Sequence, residues 1–193
     1  MTYTPKILAF AGSTRTESYN KKLVQIAANG ARSVGAEVTY IDLRDLSMPL
    51  YDEDLEAQEG MPATARQFKE LMLSHQGLLI ASPEYNSSIS GMLKNAIDWA
   101  SRSDPGEPML ASFVDKVAAI MSTSPGGFGG FRGLIHLRAI LQNIQVLVLP
   151  DQMAVPNAFE AFNSDGTLKD AQQQAAVEHL GKNVATVLSK LRS

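Results

Sequence analysis

The chain has no cysteine among its 193 residues. That absence excludes disulfides, thiolate-ligated zinc, iron–sulfur clusters and thiol catalysis. It also means that folding draws nothing from an oxidising compartment. Basic runs are missing too: 17 Lys and Arg face 20 Asp and Glu, for a formal charge of −3. Phosphate backbones demand clustered cations, so nucleic acid is not an expected partner. No apolar stretch reaches the roughly 18 residues of a membrane span, and "MTYTPKILAF" carries too short an apolar run for a secretory signal. A cytoplasmic protein without membrane insertion is the expectation. A G-x-S-x-G nucleophile elbow is absent. His75, His136 and His179 have no spacing that suggests a metal site or a triad, and read as ordinary surface or helix residues.

What remains is an ordinary globular composition, 45% hydrophobic and 19% charged. The length predicts one domain over residues 1–193. Strand-like and helix-like segments alternate. "PKILAFAG" (5–12), "AEVTYIDL" (36–43), "GLLIASP" (77–83), "KVAAIMS" (116–122) and "IQVLVLP" (144–150) read as strands. After the first, Leu23, Ile26, Ala27, Gly30, Ala31 and Val34 recur at helical spacing until Gly35. Ala65, Phe68 and Met72 mark a second helix, and Leu93, Ala96, Ile97 and Ala100 a third, over 91–102. "FRGLIHLRAILQN" reads as a fourth, and Leu180, Val184, Val187, Leu188 and Leu191 as the inner face of a last one. Thr167 with Asp170 resembles a capping box before it. Residues 44–61 read as a loop rich in Pro, Asp and Glu. Such alternation predicts an α/β fold, a parallel sheet with helices on both faces. A flavodoxin-like order 2-1-3-4-5 and half of a dinucleotide-binding fold both fit; each puts ligands at the carboxyl ends of the strands.

The first of those ends carries "AGSTRTESYN" (11–20). A helix N-terminus exposes unpaired N–H groups and about half a positive charge. Gly12 allows a tight turn. Ser13, Thr14, Thr16 and Ser18 add hydroxyls, Arg15 adds a planar cationic fork, and Asn20 braces the loop or donates a bond. The turn has one glycine rather than G-x-G-x-x-G, and side chains crowd it. It therefore suits a terminal monophosphate better than a bridging diphosphate. The alternative is that Ser18 only caps the helix and Arg15 is solvated.

Two further turns are unusual. In "SPEYNSSISGMLKNAIDWASR" (82–102), Pro83 stiffens the chain, Tyr85 offers a flat wall and Asn86 can read a heterocycle edge. A solvated Glu84, a surface Tyr85 and an Asx turn at Asn86 are the alternatives. "STSPGGFGGFRG" (122–133) has glycines 126, 127, 129 and 130 for close backbone approach, or as a flexible connection. It holds no lysine, so it is not a P-loop.

Together, "GSTRTESYN", the 82–102 segment and "STSPGGFGGFRGLIHLRAIL" resemble the NAD(P)H-dependent FMN reductase family, which includes bacterial quinone, chromate and azo-dye reductases. The likeness runs from about residue 6 to 150. It implies a flavodoxin-like three-layer sandwich whose five-stranded parallel sheet has the order 2-1-3-4-5. It also implies FMN as cofactor and NADPH or NADH as co-substrate. Ser13, Thr14, Arg15, Ser18 and Asn20 would sit at the FMN phosphate. Pro83, Glu84, Tyr85 and Asn86 would line the isoalloxazine and ribityl chain, and Ser122, Ser124, Gly126 and Gly127 the ring's polar edge. Hydride would pass from nicotinamide to the flavin and electrons onward to a small acceptor: a quinone, a flavin, an azo compound or chromate. No obligatory acid or base is implied; Tyr85 is the residue placed to touch substrate. A homodimer or homotetramer is implied, with Glu84, Tyr85 and the 44–61 loop near subunit contacts. Two rivals remain. One is a flavodoxin-type electron carrier without its own NAD(P)H activity, against which Arg15 and the modest charge weigh. The other is a dehydrogenase half-domain with Asp42 reading a ribose.

Overall fold

A computed structural model describes residues 3–192. Of the 1–193 span expected to form one domain, residues 1, 2 and 193 lie outside that description. The centre is a parallel sheet of β1 (Lys6–Ala11), β2 (Glu37–Ile41), β3 (Gly77–Ala81), β6 (Val117–Thr123) and β7 (Leu147–Val155). A separate two-stranded hairpin, β4 (Glu84–Tyr85) and β5 (Ser88–Ile89), stands between β3 and β6 in the chain. The sheet order is β2-β1-β3-β6-β7. With the hairpin set aside this is the expected 2-1-3-4-5, and the fold is flavodoxin-like.

Side-chain alternation divides the interior into two cores. Ile7, Ala9 and Ala11 of β1 face α1 (Tyr19–Arg32) and α7 (Ala171–Leu191), the helix that follows the one-turn α6 (Ala158–Ala161). Leu8 and Phe10 face α3 (Ala63–Ser74), α4 (Gly91–Ala100) and α5 (Phe131–Asn143). Strands β3 and β6 are buried along their whole length, so they read as unbroken apolar runs instead of alternating ones. Helices α1 and α7 pack close enough that a Cβ on Gly181 would run into the carbonyl of Ala27, and one on Gly30 into that of Glu178.

Several expectations shift. Val34 lies past the end of α1 and is exposed, as is Leu191. The 44–61 loop contains α2 (Glu53–Glu59), capped by the Asp52 carboxylate, which accepts from the amides of Asp54 and Leu55. None of its residues is buried, so apolar periodicity cannot reveal it. The last strand starts and ends later than 144–150. Val148 pairs with Ala118 but Gln152 with Ile120, and Pro150 falls in that irregularity, where a missing N–H costs no ladder bond. Before α7 the cap is Asp170, which accepts from the amides of Gln172 and Gln173. Thr167 is instead held by Asp165 in the preceding turn, so there is no capping box. Among the described residues, no helix is long and apolar enough to cross a membrane.

Candidate functional site

Strands β1, β3 and β6 end at nearly one level. The Gly12 amide donates to the Ala81 carbonyl at 2.8 Å, and the Ser82 amide to that of Met121 at 2.9 Å. Three turns therefore leave the sheet side by side. The first is pinned from below: the Ser90 hydroxyl donates to the Gly12 carbonyl at 2.6 Å while accepting from the Leu93 amide to cap α4. A side chain at Gly12 would overlap Leu93.

Above that pin, residues 13–18 keep most of their donors free, although the Thr16 hydroxyl accepts from the Arg44 guanidinium. Ser13 Oγ accepts from the Arg15 amide at 3.3 Å. Among the described residues, the amides of residues 13, 14 and 16–18 have no protein acceptor. Ser18 occupies the N-cap of α1 but makes no side-chain capping bond, and no acidic residue lies in the first turn of the helix. The Arg15 guanidinium has no carboxylate partner among the described residues; its nearest aromatic is the Tyr19 ring, 5.9 Å away. This is a cradle of free donors at a positive helix end, as an anion requires.

Ser13, Arg15, Ser18, Asn20, Pro83, Glu84, Tyr85 and Ser124 all line one cleft of about 130 Å³. Its other lining residues, Tyr19, Thr123, Pro125 and Ala158, were not singled out in the sequence. Tyr19 stacks on Phe162 at 5.3 Å between centroids, a contact across 143 positions that no local pattern announces. Thr14 instead faces a second cavity across the turn. Asn86 is exposed at the tip of the hairpin, where Asn86 and Ser87 have φ values of 51° and 65°. Ser122 is wholly buried and its hydroxyl has no partner among the described residues. Gly130, at φ 87°, packs so tightly on that hydroxyl that a Cβ could not be added. Gly126 and Gly127 are exposed; the positive-φ glycines of that turn are Gly129 and Gly130.

Two side chains are spoken for. Asn20 is buried and bonded to the backbone of Thr123. The Glu84 carboxylate, far from solvated, takes the start of α5: it accepts from the amides of Arg132 and Gly133 and pairs with the Arg132 guanidinium at 2.5 Å. Tyr85, on the same hairpin, is 58% exposed. Asp42, which a dinucleotide-type site would need free for a ribose, is paired with Lys21 at 2.5 Å and accepts from the Arg44 amide. His75 is buried, one ring nitrogen against the Leu71 carbonyl and the other against Thr39.

The family described as NADPH-dependent FMN reductase matches residues 5–160. An NAD(P)H-dependent FMN reductase of Pseudomonas aeruginosa is 39% identical over 175 residues, covering 90% of this chain and 89% of that one. An NAD(P)H:quinone oxidoreductase of Solanum tuberosum is 38% identical over 172 residues, 86% of this chain and 84% of its own. Among solved structures, the flavoenzyme NAD(P)H:(acceptor) oxidoreductase FerB of Paracoccus denitrificans superposes with a TM-score of 0.80 at 26% identity, covering 97% and 98% of the two chains.

Proposed function

The chain belongs to the NADPH-dependent FMN reductase family, an enzyme that works with FMN and a reduced nicotinamide nucleotide, and from there we propose that it passes electrons from NAD(P)H through FMN to quinones, with the FMN phosphate in the 13–18 cradle. The observation that carries the placement is Arg15, a guanidinium with no carboxylate partner among the described residues, beside free amides in the cleft that Tyr85 and Ser124 share. Bound FMN supplies the hydride-accepting ring.

The chain's own residues bind and orient. Ser13, Arg15, Ser18 and the turn's amides hold the phosphate, each charge-assisted bond contributing roughly 1.5–3 kcal/mol. Asn20 acts through Thr123 rather than on the ligand. Pro83 and Tyr85 form the wall along the ring and ribityl chain, Asn86 stands beyond it at the exposed tip of the hairpin, and Glu84 fixes that wall to α5. Ser124 with the Gly126–Gly127 backbone borders the polar edge, where N–H groups stabilise negative charge. No side chain is assigned as an acid or base, and Tyr85 is exposed enough to meet an acceptor.

Quinones are favoured because one relative is named a quinone oxidoreductase and another a quinone reductase; free flavins, azo compounds and chromate are the other acceptors of the same reading. A cytoplasmic homodimer or homotetramer belongs to it as well, with Glu84, Tyr85 and the 44–61 loop near the subunit contact. The test is steady-state oxidation of NADPH and NADH by the FMN-loaded protein against a panel of these acceptors. Rapid turnover with quinones is expected. A bound flavin that neither nucleotide bleaches without a partner reductase would instead mark an electron carrier.

A further inference from the structure

The larger cavity across the first turn has no part in the flavin site of that reading, and one of its walls is the 44–61 loop. It measures about 430 Å³, within the range of small-molecule sites. The first turn is a wall common to both spaces: Thr14 faces this one, Ser13 and Arg15 the smaller. Its lining is mostly apolar, with Leu46, Met48 and Met92 forming a surface that adapts to a flat ring. Asn95 also lines it but is spent, accepting from the Tyr51 amide at 2.8 Å and donating to the Pro49 carbonyl at 2.9 Å.

Arg44 is different. Its backbone is fixed, because its amide donates to Asp42 at 3.0 Å at the start of a short turn. Its guanidinium donates to the Thr16 hydroxyl and forms no ion pair among the described residues. It lines the 430 Å³ cavity and not the cleft of Arg15. A guanidinium with no carboxylate partner among the described residues, lining an adaptable apolar slot, has the chemistry of a phosphorylated nucleoside site. We propose that this cavity takes the 2′-phosphoadenosine end of NADPH, with Arg44 on the 2′-phosphate. The assignment rests on the reading that FMN occupies the neighbouring cleft, and it makes NADPH the preferred donor.

The test compares the FMN-loaded wild type with Arg44→Gln and Arg44→Lys, using kcat/KM for NADPH and NADH with one quinone. Adenosine 2′,5′-bisphosphate and 5′-AMP serve as competing probes. Expected are a wild-type preference for NADPH and a fall of the NADPH-to-NADH ratio in Arg44→Gln by roughly 10- to 100-fold, carried by KM. Arg44→Lys retains part of it, and the bisphosphate loses its advantage over 5′-AMP. Equal use of both donors by the wild type would overturn the proposal. So would Arg44→Gln weakening FMN binding with the ratio intact, which would move Arg44 to the flavin phosphate. A changed oligomeric state with the ratio intact would make the cavity a seat for a second copy and overturn it too. A protein that binds no FMN sinks the function proposed above instead; calorimetric binding of the bisphosphate, and its loss in Arg44→Gln, still reads this cavity separately.

Discussion

Asn20 bonds both backbone groups of Thr123: its amide nitrogen donates to the carbonyl at 2.9 Å and its amide oxygen accepts from the N–H at 3.1 Å. The first turn of α1 is thereby clamped to the end of β6, and the anion cradle to the wall of the cleft. Replacement by Ala leaves two buried backbone groups unpaired, at about 1–3 kcal/mol each. Asn20→Ala should lower unfolding free energy by about 2–6 kcal/mol and weaken FMN binding, although the side chain is bonded to Thr123 rather than to the ligand. Urea unfolding of the FMN-free protein, with a flavin titration beside it, checks both. Full stability in the variant would mean that water replaces the clamp without cost.

Arg15 separates affinity from stability. It is exposed and, among the described residues, pairs with no carboxylate and approaches only the Tyr19 ring. Arg15→Ala should leave the melting temperature unchanged. FMN affinity should fall roughly 10- to 100-fold while the weaker affinity for riboflavin stays put. Fluorescence titration with the two flavins reads the difference. An equal loss for both would place Arg15 at the ring instead of the phosphate.

The fold was legible because its strands are apolar runs and its helices keep a 3.6-residue rhythm. Leu23, Ile26 and Ala27 do face one core, and Leu93, Ala96 and Ile97 the other. Two elements escaped: α2 has no buried residue and is held by its Asp52 cap and by Glu56, which pairs with Arg102, and the two-residue strands of the hairpin are too short for any period. The site was legible as three turns, since turn chemistry is local. Its partnerships were not. Asn20 with Thr123, and Glu84 with Arg132, lie 103 and 48 positions apart; only the sheet order brings them together. Arg44 escaped for the same reason. Its place beside Thr16 depends on β2 lying next to β1.

Glu84 should behave as a fastener. Its carboxylate neutralises the positive end of α5 and the Arg132 charge, and its side chain is 8% exposed. Removing one member of a buried pair strands the other, which costs about 3–5 kcal/mol, less here because Arg132 is half exposed. Glu84→Ala should therefore destabilise by about 2–3 kcal/mol and free the hairpin carrying Tyr85. Glu84→Gln, which still accepts from the amides, should keep most of that. Hydrogen exchange at residues 84–89, measured with thermal unfolding, distinguishes the variants. Exchange in Glu84→Ala as slow as in the wild type would show that α5 holds the hairpin by packing alone.

Lys116 sets a pH dependence at the opposite end of the sheet. It is buried just before β6 and its ammonium donates to the His75 carbonyl at 2.5 Å. Burial pushes its pKa down from 10.5 to about 8, with the Asp115 charge opposing part of the shift. Between those two values the unfolded chain holds a proton that the folded chain has released. A state that binds fewer protons gains as pH rises, so Lys116 favours folding progressively more from about pH 8 to 10.5. Below that window its burial penalty is present in full. The gain across the window is on the order of 1–3 kcal/mol. Lys116→Met has no proton to lose. The stability difference, wild type minus variant, should therefore climb through the window in denaturant titrations at successive pH values. A flat difference would place the ammonium in water and remove the penalty altogether.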